Sequence, residues 1–270
     1  MRKKEENRMR LMPVFLAAVL LLTACLSFAQ KGFYMEEKKL YEKYKMSVKH
    51  FEQGKNLYNK EKYKKAEKKF KECLEVFPQH AQANFYLAHL LYQASNLESA
   101  LHHIEEAKKN FEFINKMYIF GYEDYTSQLR AQRDEIRDRI QKYKDQQQRT
   151  TQEGERQKIE ATISQLQSEL GTINSRLTEP LPEEKKAPAE YFYLHGNIFF
   201  KLKKHQGAHD QYVETIKHDP QHEKAYNNLI NIYFMAKQYK KAMEFVENAE
   251  STGVKINPKL KEAIRKALGK

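Results

Sequence analysis

Ser47–His80 reads SVKHFEQGKNLYNKEKYKKAEKKFKECLEVFPQH, and Ala189–His222 reads AEYFYLHGNIFFKLKKHQGAHDQYVETIKHDPQH. Aligned, the two stretches place Gly54 with Gly196, Ala66 with Ala208, Phe70 with Tyr212, and Pro78-Gln79-His80 with Pro220-Gln221-His222. Each is followed directly by a second unit of the same pattern. Ala81–Ile114 carries Leu87, Ala88, Leu91, Leu97, Ala100, Ile104 and Ala107, and Glu223–Ile256 carries Tyr226, Leu229, Tyr233, Tyr239, Ala242, Val246 and Ala249. Ala66 to Ala100 is a step of 34 residues, and so is Ala208 to Ala242. Each unit therefore holds two short apolar runs at helical spacing. Gly or Ala at the eighth position and Ala at the twentieth let two backbones approach, and Pro78 and Pro220 stop the second helix. No such unit buries its apolar face alone, so units stack.

This pattern resembles the tetratricopeptide repeat, a helix-turn-helix unit with small residues where its helices cross. Ile230 departs from it at a small-residue position, and Glu112 and Val254 stand in place of the terminal proline. The fold class implied is all-α, a helix-turn-helix solenoid interrupted by a long antiparallel coiled-coil hairpin.

The interruption is read from spacing. Ala100 to Ala208 is 108 residues, far more than one period. Ile159, Ile163, Leu166, Leu170, Ile173 and Leu177 alternate steps of four and three, which is a heptad seam. A weaker seam, Leu129, Ile136, Ile140 and Tyr143, precedes it. The polar stretch Gln146–Gln157 lies between them, with Gly154 available for a positive φ. The expected organisation is a signal peptide over 1–29, an N-terminal repeat pair with a leading helix over 34–114, and a helical hairpin over 115–178. A proline-rich linker over 179–188, a second repeat pair over 189–256 and a capping helix over 257–270 complete it. Asn257 and Pro258 supply the N-cap and first position of that last helix. The spacing leaves open whether the two pairs form one continuous superhelix.

The address is outside the cytoplasm. Arg2, Lys3, Lys4, Arg8 and Arg10 precede an uncharged apolar run from Leu11 to Ala29, the form of a secretory signal. Leu22-Thr23-Ala24-Cys25 resembles a bacterial lipobox, which makes Cys25 the lipidated N-terminus of a lipoprotein. Ser27-Phe28-Ala29 offers ordinary cleavage instead, and an uncleaved anchor is the third reading. The product is periplasmic or membrane-anchored, with inner and outer membrane not distinguished. Removing residues 1–24 lowers the net charge from +12 to +9. Lysines alternate with glutamates, as in Lys60–Glu72, which reads as a solvated helix face. Export and the absence of any reading motif exclude nucleic acid as the partner.

No phosphate-binding glycine loop, G-x-S-x-G, H-E-x-x-H or C-x-x-C is present, so no enzyme and no cofactor is expected. Beyond Cys25 the one cysteine is Cys73, at a position where a small buried residue suits the repeat. His205/His209 and His218/His222 share helix-face spacing and His102/His103 are adjacent, but no carboxylate or cysteine cluster joins them, so no metal site is expected. By resemblance, the first helix of each unit presents a concave face that binds a protein or peptide partner. Its residues here are Phe51, Lys55, Tyr58, Phe85, His89, Tyr92, Tyr193, Asn197, Phe200, Asn227, Asn228, Asn231 and Phe234. Asn197 and Asn228 match the asparagine pair of a carboxylate clamp, while Tyr193 replaces the lysine such a clamp carries. The alternative is a structural homo-oligomer assembled through the heptad seam.

Overall fold

The computed structural model describes residues 35–181 and 183–269. The signal peptide expected over 1–29, with its two expected processing points and Cys25, lies outside them. Among the described residues there are eleven helices and no strand. They are α1 (residues 35–59), α2 (Tyr63–Val76), α3 (Ala81–Gln93), α4 (Leu97–Lys109), α5 (Phe111–Arg149), α6 (Glu153–Leu177), α7 (Ala189–Lys201), α8 (His205–His218), α9 (Glu223–Met235), α10 (Tyr239–Ser251) and α11 (Pro258–Ala267). None of them is long and apolar enough to cross a membrane. Two compact units result. One holds the described residues up to Lys45 with Phe120–Pro180, and the other holds Met46–Ile119 with the chain from Leu181 onward.

In the second, repeat-bearing unit, α2 packs on α3, α3 on α4, α4 on α7, α7 on α8, α8 on α9, α9 on α10 and α10 on α11. The α4–α7 contact joins the two repeat pairs into one uninterrupted stack, although α5 and α6 intervene in sequence. Tyr191, Leu194 and Ile198 of α7 bury against Ala100, Ile104 and Ala107 of α4, with Phe111 and Ile114 closing the cluster. The small residues do what their spacing implies: Ala66, Ala88, Ala100, Ala208 and Ala242 are fully buried. A Cβ on Gly54 would stand 2.7 Å from the Phe70 ring, and one on Gly196 would stand 2.6 Å from the Tyr212 ring. Ile230, at a small-residue position, is accommodated in a core with Ala242 and Val246 that α11 completes through Ile264. Cys73 is buried against Phe70 and Leu87, and desolvation pushes its thiol up to about 12. It is a core filler.

Two local devices recur in the repeats. The turn inside each repeat places a non-glycine residue in the left-handed region, with φ of 57°, 59°, 58° and 58° at Glu61, Ser95, Lys203 and Lys237. The following amide reaches back five residues, as in Lys204 N to Phe199 O at 2.9 Å, which closes a Schellman turn. The second device caps the helix after Pro-Gln-His. Nδ1 of His80 accepts from Ala83 N at 3.2 Å, and Nδ1 of His222 accepts from Ala225 N at 3.1 Å. An imidazole thus fills the N-cap role usual for Ser, Asp or Asn, with the proton on Nε2. Asn257 caps α11 through Lys259 N at 3.0 Å.

At the junction between the pairs, Lys108 Nζ donates to Gln211 Oε1 at 2.6 Å and lies 3.3 Å from His195 Nδ1. Burial, then the Lys108 charge, pushes His195 down to about 3. Burial also lowers the pKa of Lys108. The linker is held by reciprocal bonds: Asn115 Nδ2 donates to Lys185 O at 2.9 Å, and Lys185 N donates to Asn115 Oδ1 at 3.0 Å.

In the other unit, Leu129, Ile136 and Ile140 of α5 bury against Ile159, Ile163, Leu166 and Ile173 of α6. Each such side chain, fully buried, contributes about 1.5–3 kcal/mol. The turn between these helices is shorter than the polar stretch Gln146–Gln157 suggests. α5 runs to Arg149 and α6 starts at Glu153, and Gly154 is helical rather than at positive φ. Glu153 and Glu155 favour a helix start by complementing its positive end, which extends α6 backward through the glycine. Gly121 lets Tyr41 close on α5: a Cβ there would stand 2.5 Å from the Tyr41 hydroxyl.

A candidate peptide-binding face on the first helices

Four helices of the repeat unit supply the candidate face: the end of α1, α3, α7 and α9. They run in the same direction, because like ends touch. Tyr58 at the end of α1 meets His89 of α3, Lys201 at the end of α7 covers the ring of Tyr92 at 4.0 Å, and Asn228 of α9 meets Asn197 of α7. The twelfth position of every repeat is aromatic (Tyr58, Tyr92, Phe200 and Phe234), and all four rings are half-buried. The ninth position is polar throughout, with Lys55, His89, Asn197 and Asn231, also half-buried. The face thus carries an aromatic row beside a polar row.

The polar row is ordered by hydrogen bonds. The Tyr58 hydroxyl is 2.9 Å from His89 Nδ1, and burial lowers the pKa of His89, so a neutral imidazole accepts from the phenol. Asn197 Oδ1 accepts twice, from the Tyr212 hydroxyl at 2.8 Å and from Asn228 Nδ2 at 3.1 Å. That leaves Asn197 Nδ2 as a donor and Asn228 Oδ1 as an acceptor, a pair suited to the backbone of an extended peptide. Glu190 lies at the start of α7, where His222 Nε2 at 3.4 Å holds its carboxyl below the usual range.

Two residues read as part of this face are placed elsewhere. Phe51 is buried, packed on Phe70, His80 and Tyr86 with centroids 6.1, 4.8 and 5.9 Å away. The capping imidazole of His80 covers it, so it belongs to the core. Asn227 has its amide taken up by the cap: Nδ2 donates to Glu223 O, and Oδ1 accepts from Asn257 N at 3.0 Å. Phe85 stacks on Tyr191 at 4.4 Å, and Tyr193 lies 4.6 Å from His222, so both are half-covered walls.

The paired histidines have individual partners. His209 Nε2 is 2.7 Å from the Tyr233 hydroxyl, His103 Nδ1 is 2.7 Å from Asn84 Oδ1, and His218 stacks on Phe192 at 4.4 Å. Among the described residues no three His, Cys, Asp or Glu side chains gather as metal ligands. Sequence reasoning missed Tyr212 as the partner that orients Asn197. The signal was available, because Tyr212 occupies the place of Phe70 above a glycine and adds only a hydroxyl.

The family model for the tetratricopeptide repeat matches residues 51–113 and 193–253. No curated protein matches the chain. Among solved structures, TTC0263, a thermophilic TPR protein of Thermus thermophilus, aligns at 13% identity and TM-score 0.32, covering 82% of this chain and 98% of that one. PilF of Pseudomonas aeruginosa aligns at 12% identity and TM-score 0.36, covering 84% and 86%. The TPR2AB domain of yeast Sti1, in its complex with pHSP90, aligns at 14% identity and TM-score 0.27, covering 83% and 99%. Family match and helix packing agree at the same positions: residues 51–113 and 193–253 are similar to tetratricopeptide repeats and fold as stacked antiparallel helix pairs.

Proposed function

We propose that the chain is a non-catalytic scaffold of the bacterial cell envelope that holds a peptide or partner helix on the first-helix face of its repeats. Tetratricopeptide repeats generally mediate protein–protein or peptide interactions. The observation that carries the reading is the packing of α4 on α7, which makes the aromatic and polar rows continuous across both repeat pairs. Four half-buried rings supply apolar contact at regular spacing, and the Asn197–Asn228 pair supplies backbone hydrogen bonds. The leader sequence supports an exported product, and Leu22–Cys25 supports lipid attachment at Cys25. In this reading α5 and α6 form an antiparallel coiled-coil spacer. The homo-oligomer reading loses its driving force, because the α6 seam residues Ile159, Ile163, Leu166 and Ile173 are already covered within the chain.

Site-specific photo-crosslinking in envelope preparations tests the face. A crosslinker in place of Asn231 or Lys55 is expected to trap one protein, and Asn197→Ala with Asn228→Ala is expected to abolish the adduct. A crosslinker in place of Lys71, on the exposed side of α2, is expected to trap nothing. The same adduct from Lys71 and Asn231, or an adduct that survives the double substitution, overturns this assignment.

A further inference from the structure

We propose that the edge of the repeat unit formed by its four intra-repeat turns docks on an anionic lipid surface. The helices within each repeat are antiparallel and successive first helices are parallel, so residues 59–65, 93–99, 201–207 and 235–241 share one edge. The contact of Lys201 with Tyr92 ties two of these turns together directly. The end of α11 joins the same edge, since Leu268 lines a shallow pocket with Lys237, Tyr239 and Lys241.

Charge is distributed very unevenly between the two edges. The four turns hold ten lysines against two acidic residues, Glu61 and Glu98. The loops and chain ends at the opposite edge, residues 74–82, 107–113, 183–189, 216–224 and 250–258, hold seven lysines against seven acidic residues. Among the described residues none of the ten lysines is ion-paired, whereas Lys217 of the opposite edge pairs with Glu214. The excess positive charge is therefore concentrated on one edge and uncompensated there.

The chemistry fits a lipid surface better than a specific acidic peptide. Every cation in the four turns is a lysine and none an arginine. Lysine acts as a hydrated point charge in a diffuse field, while bidentate capture of a carboxylate selects arginine. Apolar and amphipathic side chains are interleaved: Tyr63 is 41% exposed beside Lys62 and Lys64, and Met235 is 50% exposed beside Lys237. Lysine with exposed tyrosine and methionine is the composition of a headgroup-level contact. The left-handed turns at Glu61, Lys203 and Lys237 hold these side chains at the tips of rigid hairpins.

Vesicle co-sedimentation tests this with the chain from residue 30, which keeps every contact described above. The expected result is binding to vesicles of equal parts phosphatidylglycerol and phosphatidylcholine, none to phosphatidylcholine alone, and release as salt shortens the screening length. Lys203→Glu, Lys204→Glu, Lys240→Glu and Lys241→Glu together should weaken binding more than about a hundredfold, since each lysine near such a surface is worth about fivefold. The control is Lys217→Glu, Lys224→Glu, Lys255→Glu and Lys259→Glu, which changes net charge equally on the opposite edge. It should weaken binding less than about tenfold. Equal losses in the two variants overturn the proposal, as does wild-type protein that binds soluble polyglutamate but not the charged vesicles. Circular dichroism reports whether both variants keep their helix content, and Lys→Gln at the same positions decides if one does not.

Discussion

The two repeat pairs share one scaffold and fill it with different chemistry. In each, an aromatic ring lies over a glycine: Phe70 over Gly54 and Tyr212 over Gly196. In the first pair the ring is continued by carbon. Tyr86 stacks on Phe70 at 5.2 Å and Phe51 abuts both. In the second pair the residues at matching positions are Asn228 for Tyr86 and Asn197 for Lys55, and Tyr212 adds the hydroxyl that Phe70 lacks. The result is a hydrogen-bonded amide pair where the first pair has an aromatic cluster. A ring crossing a glycine is what the fold requires. What borders that ring decides whether the face at that point is apolar or amide-lined.

The largest test of this comparison removes the shared element. Phe70→Ala deletes a ring that is fully buried, at a cost of about 3–5 kcal/mol. Because a stacked array is quasi-one-dimensional, the loss should stay local. Hydrogen exchange is expected to accelerate for amides of α2 and α3 while those of α9 and α10 keep their protection. Uniform acceleration through α10 would show that the two pairs unfold together and that the comparison has no thermodynamic content.

A second test uses acid. His80 is buried as an N-cap, and desolvation lowers its pKa from 6.5 to about 4. The unfolded chain then binds the proton first, so stability is full above pH 6.5 and declines as pH falls from 6.5 toward 4. The expected loss is on the order of 2–3 kcal/mol over that window. His195 at the junction is lowered further, to about 3, and adds to the decline in the same direction. His80→Asn keeps a capping acceptor without a titrating group. Urea melts against pH should be flatter for that variant, and an unchanged slope would remove His80 as the origin.

Much of the architecture was legible because it rests on exclusion. Ala66, Ala100, Ala208 and Ala242 must be small wherever two helices cross, and a fixed small residue survives as a visible period. The imidazole caps were hidden for the opposite reason. Pro78-Gln79-His80 was visible as a repeated string, yet histidine is not a usual capping residue and its role depends on which nitrogen faces Ala83. The left-handed turns at Glu61, Ser95, Lys203 and Lys237 were equally hidden, since none is glycine or asparagine. Continuity of the stack depends on α4 meeting α7 across an excursion, which no spacing encodes. Phe51 was misplaced because position within a repeat indicates the direction of a side chain, not whether the next loop covers it.

The smallest test addresses the chemical difference itself. Tyr212→Phe converts the second pair's ring to the first pair's, removing one hydrogen bond to Asn197 while Asn228 still satisfies the same oxygen. The cost should be about 1 kcal/mol, with no cavity and little change in the unfolding slope. The reverse change, Phe70→Tyr, adds a hydroxyl at the position matching Tyr212, where the counterpart of Asn197 is Lys55, a side chain without an acceptor. Alone it is expected to destabilise, and adding Lys55→Asn should recover about 0.5–1.5 kcal/mol of that loss. Such a coupling, measured by a double-mutant cycle, would mean the amide-lined surface can be moved one pair along the stack by its own residues. Strict additivity would mean that Asn197 and Tyr212 are neighbours without an energetic link, and that the second pair differs from the first only in composition.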